Sequence, residues 1–290
     1  MRSSKLMIVV VVAALCVSTA PVLEASDVAW DEVIGADASK LNAEQKSRVA
    51  SLLDELDNTR GCSGKIGECL AKGDRTAARH AGFVMRMVRK NKSDDFIEKG
   101  IELRHESAFP DETYDIDLSG HPHRGNPNAK VEFVEYACFQ CPFCADLAPK
   151  MKRQFKKRFA DDVVHYYKFF PVRSHSHGVS TALAGLAAFK QGKFWELYDI
   201  MFDNRTDLAD DDVRRYARQV GLDMEKFESD WHDSGAMQVI EQDKLEGMRF
   251  GVRGTPTFFV NGKLYQGQNY IPEVLDRVGE ELDIVEGRIK

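Results

Sequence analysis

Residues 130 to 149 read KVEFVEYACFQCPFCADLAP, an order that few folds accept. A β-prone run ends directly on three cysteines at three-residue intervals, Cys138, Cys141 and Cys144. The amphipathic stretch ADLAPKMKRQFKKRFA then follows without a break. The chain must therefore pass from strand to helix across the cysteines themselves. Pro142 sets the start of that helix, because proline lacks the N–H that would be unpaired at the first helical position anyway. Cys141 then becomes the N-cap, its sulfur facing the free amides of Phe143 and Cys144. Cys144 falls one turn in, within reach of Cys141.

A thiolate at an N-cap gains about 0.3–1 kcal/mol from the positive end of the helix, so hydrogen bonds from the amides must supply any larger drop in pKa. The expectation is an attacking thiol at Cys141 and a buried resolving thiol at Cys144. Stabilising the thiolate stabilises the reduced pair, which makes the disulfide more oxidising. Other uses of the triplet fit less well. A structural zinc site wants four ligands, and no fourth Cys or His lies close in sequence. The iron–sulfur run C-x2-C-x2-C-x3-C-P lacks its last cysteine here. A purely structural disulfide is the third alternative. Neither a metal nor a dissociable cofactor is expected. Cys138 reads as a buried thiol at the end of the strand, with attack on the Cys141–Cys144 disulfide as the sharper alternative. His121, His123, His175 and His177 read as structural loop residues.

Around this centre, TYDIDL (113–118), KVEFVEYA (130–137) and VVHYYKFFPV (163–172) read as strands. Five helical segments fill residues 176 to 250. TPTFFVNGKLYQG then gives two strands joined by Asn261-Gly262, a strong type I′ hairpin signal, and IPEVLDRVGEELD closes with a helix. The order is β-α-β, a helical insertion over about 173–250, then β-β-α. Residues 26–112 form a separate small helical region of three helices, opened by Asn42 with Gln45 three residues on, by Asp74 and by Ser93. Cys62 and Cys69, between the first two helices, read as a structural disulfide, with free or redox-active thiols as the alternative.

The first 25 residues pair Arg2 and Lys5 with a 12-residue apolar core, Leu6 to Val17. That is short of the roughly 18–20 residues that span a bilayer, and it describes a secretory signal peptide ending near Ala25, with an uncleaved anchor as the alternative. Export to an oxidising, extracytoplasmic space such as the periplasm would permit disulfides. The net charge of −6 argues against a nucleic-acid partner.

Residues VEFVEYACFQCPFCADLAP together with GTPTFFVNG resemble the DsbA-like branch of the thioredoxin superfamily, over residues 113–290. The resemblance implies an α/β thioredoxin fold with an inserted helical domain, preceded here by the small N-terminal helical region. It implies a cis-proline facing the active-site sulfurs at Pro256, and client contacts at Thr255, Pro142 and Phe143. It also implies a buried acid at Glu135 that moves protons near Cys144, for which an outward-facing strand glutamate is the alternative reading. Proteins of this kind exchange disulfides with client proteins and return electrons to a membrane redox partner. A dithiol oxidase is the expected activity. An oligomeric isomerase or reductase, held together through the N-terminal helices, is the alternative, and a non-catalytic binding or chaperone module is a third. The Pro-Phe dipeptide lacks the histidine often found beside the attacking sulfur, so a mild oxidant is expected.

Overall fold

The structure is a computed structural model and describes residues 23–159 and 161–289. Most of the expected signal segment, residues 1–25, lies outside the described residues.

Among the described residues the first α-helices are α1 (Ala43–Glu55), α2 (Ile66–Ala71), α3 (Arg75–Arg89) and α4 (Asp94–Ala108). Asn42 and Gln45 form the reciprocal capping box, and Asp74 and Ser93 accept from the amides of Ala77 and Phe96 at the next two starts. Helix α2 is one more than the sequence suggested. It fills the connection in which Cys62 and Cys69 are bonded to each other, with their Cα atoms 5.6 Å apart. Asp74 holds this loop as well, accepting from the Cys62 amide at 3.0 Å. Val49, Leu53, Ile66, Val84 and Val88 close a core of their own beneath these helices.

The second unit is built on one five-stranded sheet: β1 (His123–Arg124), β2 (Val131–Ala137), β3 (Val163–Phe169), β4 (Thr257–Val260) and β5 (Lys263–Leu264), in the order β1-β3-β2-β4-β5. Strands β2 and β3 are parallel, and the other pairs are antiparallel. A parallel pair needs a long crossover. Helix α5 (Pro142–Arg158) supplies it, with Pro149 inside the helix. Between β3 and β4 come α6 (Gly178–Lys190), α7 (Phe194–Asp203), α8 (Asp210–Gln219), α9 (Met224–Trp231) and α10 (Ser234–Arg249), and α11 (Ile271–Val285) ends the fold. Asn261 and Gly262 both take positive φ, 49° and 71°, as a primed hairpin turn requires. This is the thioredoxin fold with a helical insertion.

Side chains alternate across the sheet. Val131 and Phe133 pack with Leu147, Met151, Val274 and Val278 from α5 and α11, whereas Val134 and Tyr136 pack with Phe259 and Phe170 on the opposite face. Glu135 shares the parity of Phe133, so it points beneath α5.

One expected strand is not in the sheet. TYDIDL keeps its alternation, with Ile116 buried and Asp115 and Asp117 exposed. Its backbone is paired otherwise. Tyr114 N donates to Gly262 O (2.8 Å), Asp117 N donates to the Glu246 carboxyl (3.0 Å), and Lys168 Nζ donates to Asp117 O (2.7 Å). One backbone bond to the Asn261-Gly262 turn and two side chains met these groups in place of a neighbouring strand, so no ladder formed. The edge pairing with β3 falls to His123–Arg124.

The N-terminal helices sit against α11 through a buried ionic seam. Arg86 reaches Glu273 (2.6 Å) and Asp276 (2.9 Å), Arg79 reaches Asp276 (2.7 Å), and Arg104 reaches Asp276 (3.0 Å). All five side chains are buried. Among the described residues, no helix is long and apolar enough to cross a membrane.

Candidate active site

Cys141 is the N-cap of α5, in extended backbone (φ −73°, ψ 123°), with Pro142 opening the helix. Its Sγ lies 3.2 Å from the carbonyl oxygen of Thr255, the residue before Pro256. The Thr255–Pro256 peptide bond is cis. Two segments more than a hundred residues apart thus meet at one sulfur. Phe143, 68% exposed, stands beside an open groove of about 770 Å³ whose walls include Arg253, Thr255, Pro256, Tyr265 and Gln268.

The Cys141 thiol is pulled down to about 5. The Cys144 thiol donating to it is the largest influence. Burial opposes this, and the Thr255 side chain and the amides of Cys144 and Phe143 add to it. The amides face the sulfur as the N-cap geometry requires, although neither makes a close capping hydrogen bond. Cys144 behaves oppositely. It is fully buried, and burial, its hydrogen bond to Cys141 and the nearby Glu135 all push its thiol well above the ordinary value. The pair is therefore split into a ready nucleophile and a protonated neighbour, which is what exchange needs.

Glu135 is fully buried, not outward-facing. Its Oε2 accepts from His165 Nε2 (2.9 Å) and from the Tyr198 hydroxyl (3.2 Å), while Oε1 has no partner. Arg124 Nε donates to His165 Nδ1 (3.2 Å), which places the imidazole proton on Nε2, facing Glu135. Burial first, then Arg124, hold His165 down to about 4, so the ring is neutral at pH 7. Arg124 in turn stacks 4.2 Å over Trp195. A polar file thus runs from beneath Cys144 towards the sheet edge.

Cys138, also buried, lies with its Sγ 3.2 Å from His175 Nδ1, and its carbonyl accepts from the Cys141 amide at 2.9 Å. Burial raises its thiol. His121 meets Asp243 at 2.8 Å, and His123 begins the edge strand. Among the described residues no group of three or more His, Cys, Asp or Glu is placed to hold a metal ion.

The structure brings together Cys141, Cys144, Pro142, Phe143, Thr255, Pro256 and Glu135, and sets Cys62 and Cys69 apart in the N-terminal unit. Sequence reasoning missed His165, Tyr198, Arg124 and the Cys138–His175 contact. His165 carried a faint signal, because it has the inward parity of Val163 and Tyr167 and a buried ring nitrogen needs a partner. His175 carried none, since its partner is 37 residues away.

Fold and dithiol together define a thioredoxin-fold protein with an exchange-ready cysteine pair at a helix N-terminus. The model of the family described as Thioredoxin matches residues 118–277, more than half of the chain. The chain belongs to the thioredoxin family, and its architecture is DsbA-like.

Among solved structures, a thioredoxin-like oxidoreductase from Silicibacter pomeroyi DSS-3 is similar with 25% identity and a TM-score of 0.50, over 61% of this chain and 97% of that one. Oxidised BdbD from Bacillus subtilis shares the fold at 20% identity and a TM-score of 0.54, over 59% and 97%. The thiol-disulfide exchange protein alpha-DsbA2 from Wolbachia pipientis does so at 20% and 0.51, over 63% and 94%. Among curated sequences, Na(+)/H(+) antiporter NhaA 1 of Mycolicibacterium gilvum (strain PYR-GCK) is 35% identical over 147 residues, 50% of this chain and 24% of that protein. The match thus spans about a quarter of such relatives.

Proposed function

We propose that this protein is an exported thiol–disulfide oxidoreductase that passes a disulfide from Cys141–Cys144 to client polypeptides, acting chiefly as a dithiol oxidase. The supporting observation is the Cys141 sulfur, stabilised as a thiolate at the start of α5 and set against the Thr255–Pro256 loop. A client thiolate attacks Cys141 Sγ of the disulfide, and the Cys141–Cys144 bond breaks to leave Cys144 as a thiolate. The client's second thiolate then attacks the mixed disulfide, its own disulfide forms, and Cys141 leaves as a thiolate. Glu135, with His165 behind it, supplies the proton that Cys144 takes up. Thr255 and Pro256 line the groove in which the client lies extended. Cys62–Cys69 fastens the N-terminal unit and takes no part. Electrons then pass to a membrane redox partner.

The isomerase alternative drew on apolar stripes of the N-terminal helices that could join subunits. Those stripes close a core within one chain, which favours the oxidase reading. The test is oxidative refolding of reduced ribonuclease, with the potential of the Cys141–Cys144 pair measured alongside. Activity abolished by Cys141→Ser and a potential well above about −270 mV are expected. Refolding unaffected by that substitution would remove the mechanism. Repair of scrambled ribonuclease by a light-scattering oligomer would shift the assignment to isomerase. Cell fractionation of the full chain tests export, with the protein expected outside the cytoplasm.

A further inference from the structure

The groove beside the cis-proline does not end at the thioredoxin unit. Its wall at Tyr265, Gln266 and Gln268 is shared with a second hollow of about 170 Å³, whose far side is made by Phe83, Phe96 and Leu103 of α3 and α4. A cavity of about 150 Å³ lined by apolar side chains holds a benzene ring, so this one is of a size for a single large side chain.

The hollow depends on a glycine. A Cβ at Gly100 would stand 2.3 Å from Phe83 Cζ, so any larger residue would force that ring, which lines the hollow, to move. Its shared wall is also fixed to the N-terminal helices. Gln266 N donates to Ser107 Oγ (2.8 Å), Gln268 Nε2 donates to Met87 Sδ (3.4 Å), and Lys90 Nζ sits 3.0 Å over the Tyr270 ring. The one carboxyl in the lining, Glu273, is already engaged by Arg86. Two cations also line it, Lys99, which pairs with Glu102, and Arg104, which pairs with Asp276, and the rest of the exposed wall is largely hydrocarbon.

We infer that the hollow between α3, α4 and the Tyr265–Gln268 segment is a second client-binding site, taking one aromatic or large aliphatic side chain of the polypeptide that lies across the cis-proline groove. The inference rests on the exchange function proposed above and adds a substrate class to it: clients carrying an apolar residue at a fixed distance from the reacting cysteine. An extended strand rises about 3.3 Å per residue, so the spacing is set by the rigid wall between the two hollows. The N-terminal unit thereby acts as a specificity element.

The test uses the full chain and a family of unstructured peptides, each with one cysteine and one phenylalanine moved residue by residue away from it. Serine-for-cysteine versions report binding without chemistry, and glutathione disulfide serves as the reference substrate. One spacing, or two neighbouring ones, should bind about tenfold or more tightly, the worth of burying one phenylalanine. The kcat/KM of the cysteine peptides should follow the same pattern. Phe96→Asp should abolish the preference. Phe96 is 37% exposed in the first turn of α4, where an acid suits the helix, so this variant should fold. Gly100→Ala should abolish it by displacing the Phe83 ring from its place in the lining. Equal binding at every spacing, or a preference that survives Phe96→Asp, overturns the inference. Exchange with glutathione disulfide but no spacing preference removes the second site and leaves the exchange function standing. Preferential binding of the serine peptides without any exchange does the reverse.

Discussion

At Cys141 the sulfur's charge is decided by its neighbours. An N-cap field alone lowers a thiol by roughly one pKa unit, whereas the Cys144 donor, Thr255 and two amides bring this one to about 5. Alkylation of the reduced protein by iodoacetamide should therefore be half-maximal near pH 5, far below the roughly 8.5 of free cysteine. A curve centred above pH 8 would refute the assignment. The sign for stability follows from the same shift. A depressed folded-state pKa favours the folded reduced form most fully above the unfolded pKa, and that advantage fades as pH falls towards 5. The potential should report it too. Between pH 5 and the raised Cys144 value, reduction takes up one proton for two electrons, giving about 30 mV per pH unit. Below pH 5 it takes up two, doubling the slope. Glu135→Gln should slow the reaction by about a hundredfold, the scale of a lost proton carrier, in stopped-flow reduction by dithiothreitol. The alkylation midpoint should stay near pH 5. Loss of both together would mean that Glu135 only supports the fold.

Among the elements, caps and parity were the most legible signals. Asn42, Asp74 and Ser93 begin helices because a side-chain oxygen accepts an amide that the helix leaves unpaired. Asp74 does more, since it also accepts from the Cys62 amide and from Asn58 at 3.1 Å. Asp74→Ala should cost about 1–2 kcal/mol in urea unfolding, and no loss would show that these bonds merely replace bonds to water. Strand β2 was equally readable, but the burial of Glu135 was implied only by the family resemblance, with an outward-facing glutamate left open. TYDIDL misled because alternation reports which side chains are buried and not what pairs the backbone. Glu246 and Lys168, 129 and 51 residues away from Asp117, met its amide and carbonyl. No local pattern carries that information.

For the molecule as a whole, the ionic seam between the N-terminal helices and α11 is the feature with most at stake. Burial alone would raise the Asp276 carboxyl, yet Arg104, Arg86 and Arg79 hold it well below the usual carboxylate range. Removing one partner of such a cluster strands the others. Asp276→Ala should cost about 3–5 kcal/mol, read as a lower urea midpoint, and a midpoint unchanged would show that the arginines reach water. The carboxyl's stabilisation is present above its unfolded pKa and is lost as pH falls below about 4. Being buried, the seam should respond little to salt.

What the sequence determined by itself was local: the strand-to-helix passage through the cysteines, the N-cap at Cys141, the hairpin at Asn261-Gly262 and the helix starts. Each depends on residues within a few positions of one another. The tertiary structure decided the rest. It set Thr255 against Cys141, backed Glu135 with His165, put His175 beside Cys138, and docked the N-terminal helices onto α11 so that two hollows share a wall. Those contacts join segments tens to hundreds of residues apart. They exist because burying the faces of the sheet and the helices packed on it admits very few arrangements, and spacing along the chain does not encode which one is reached.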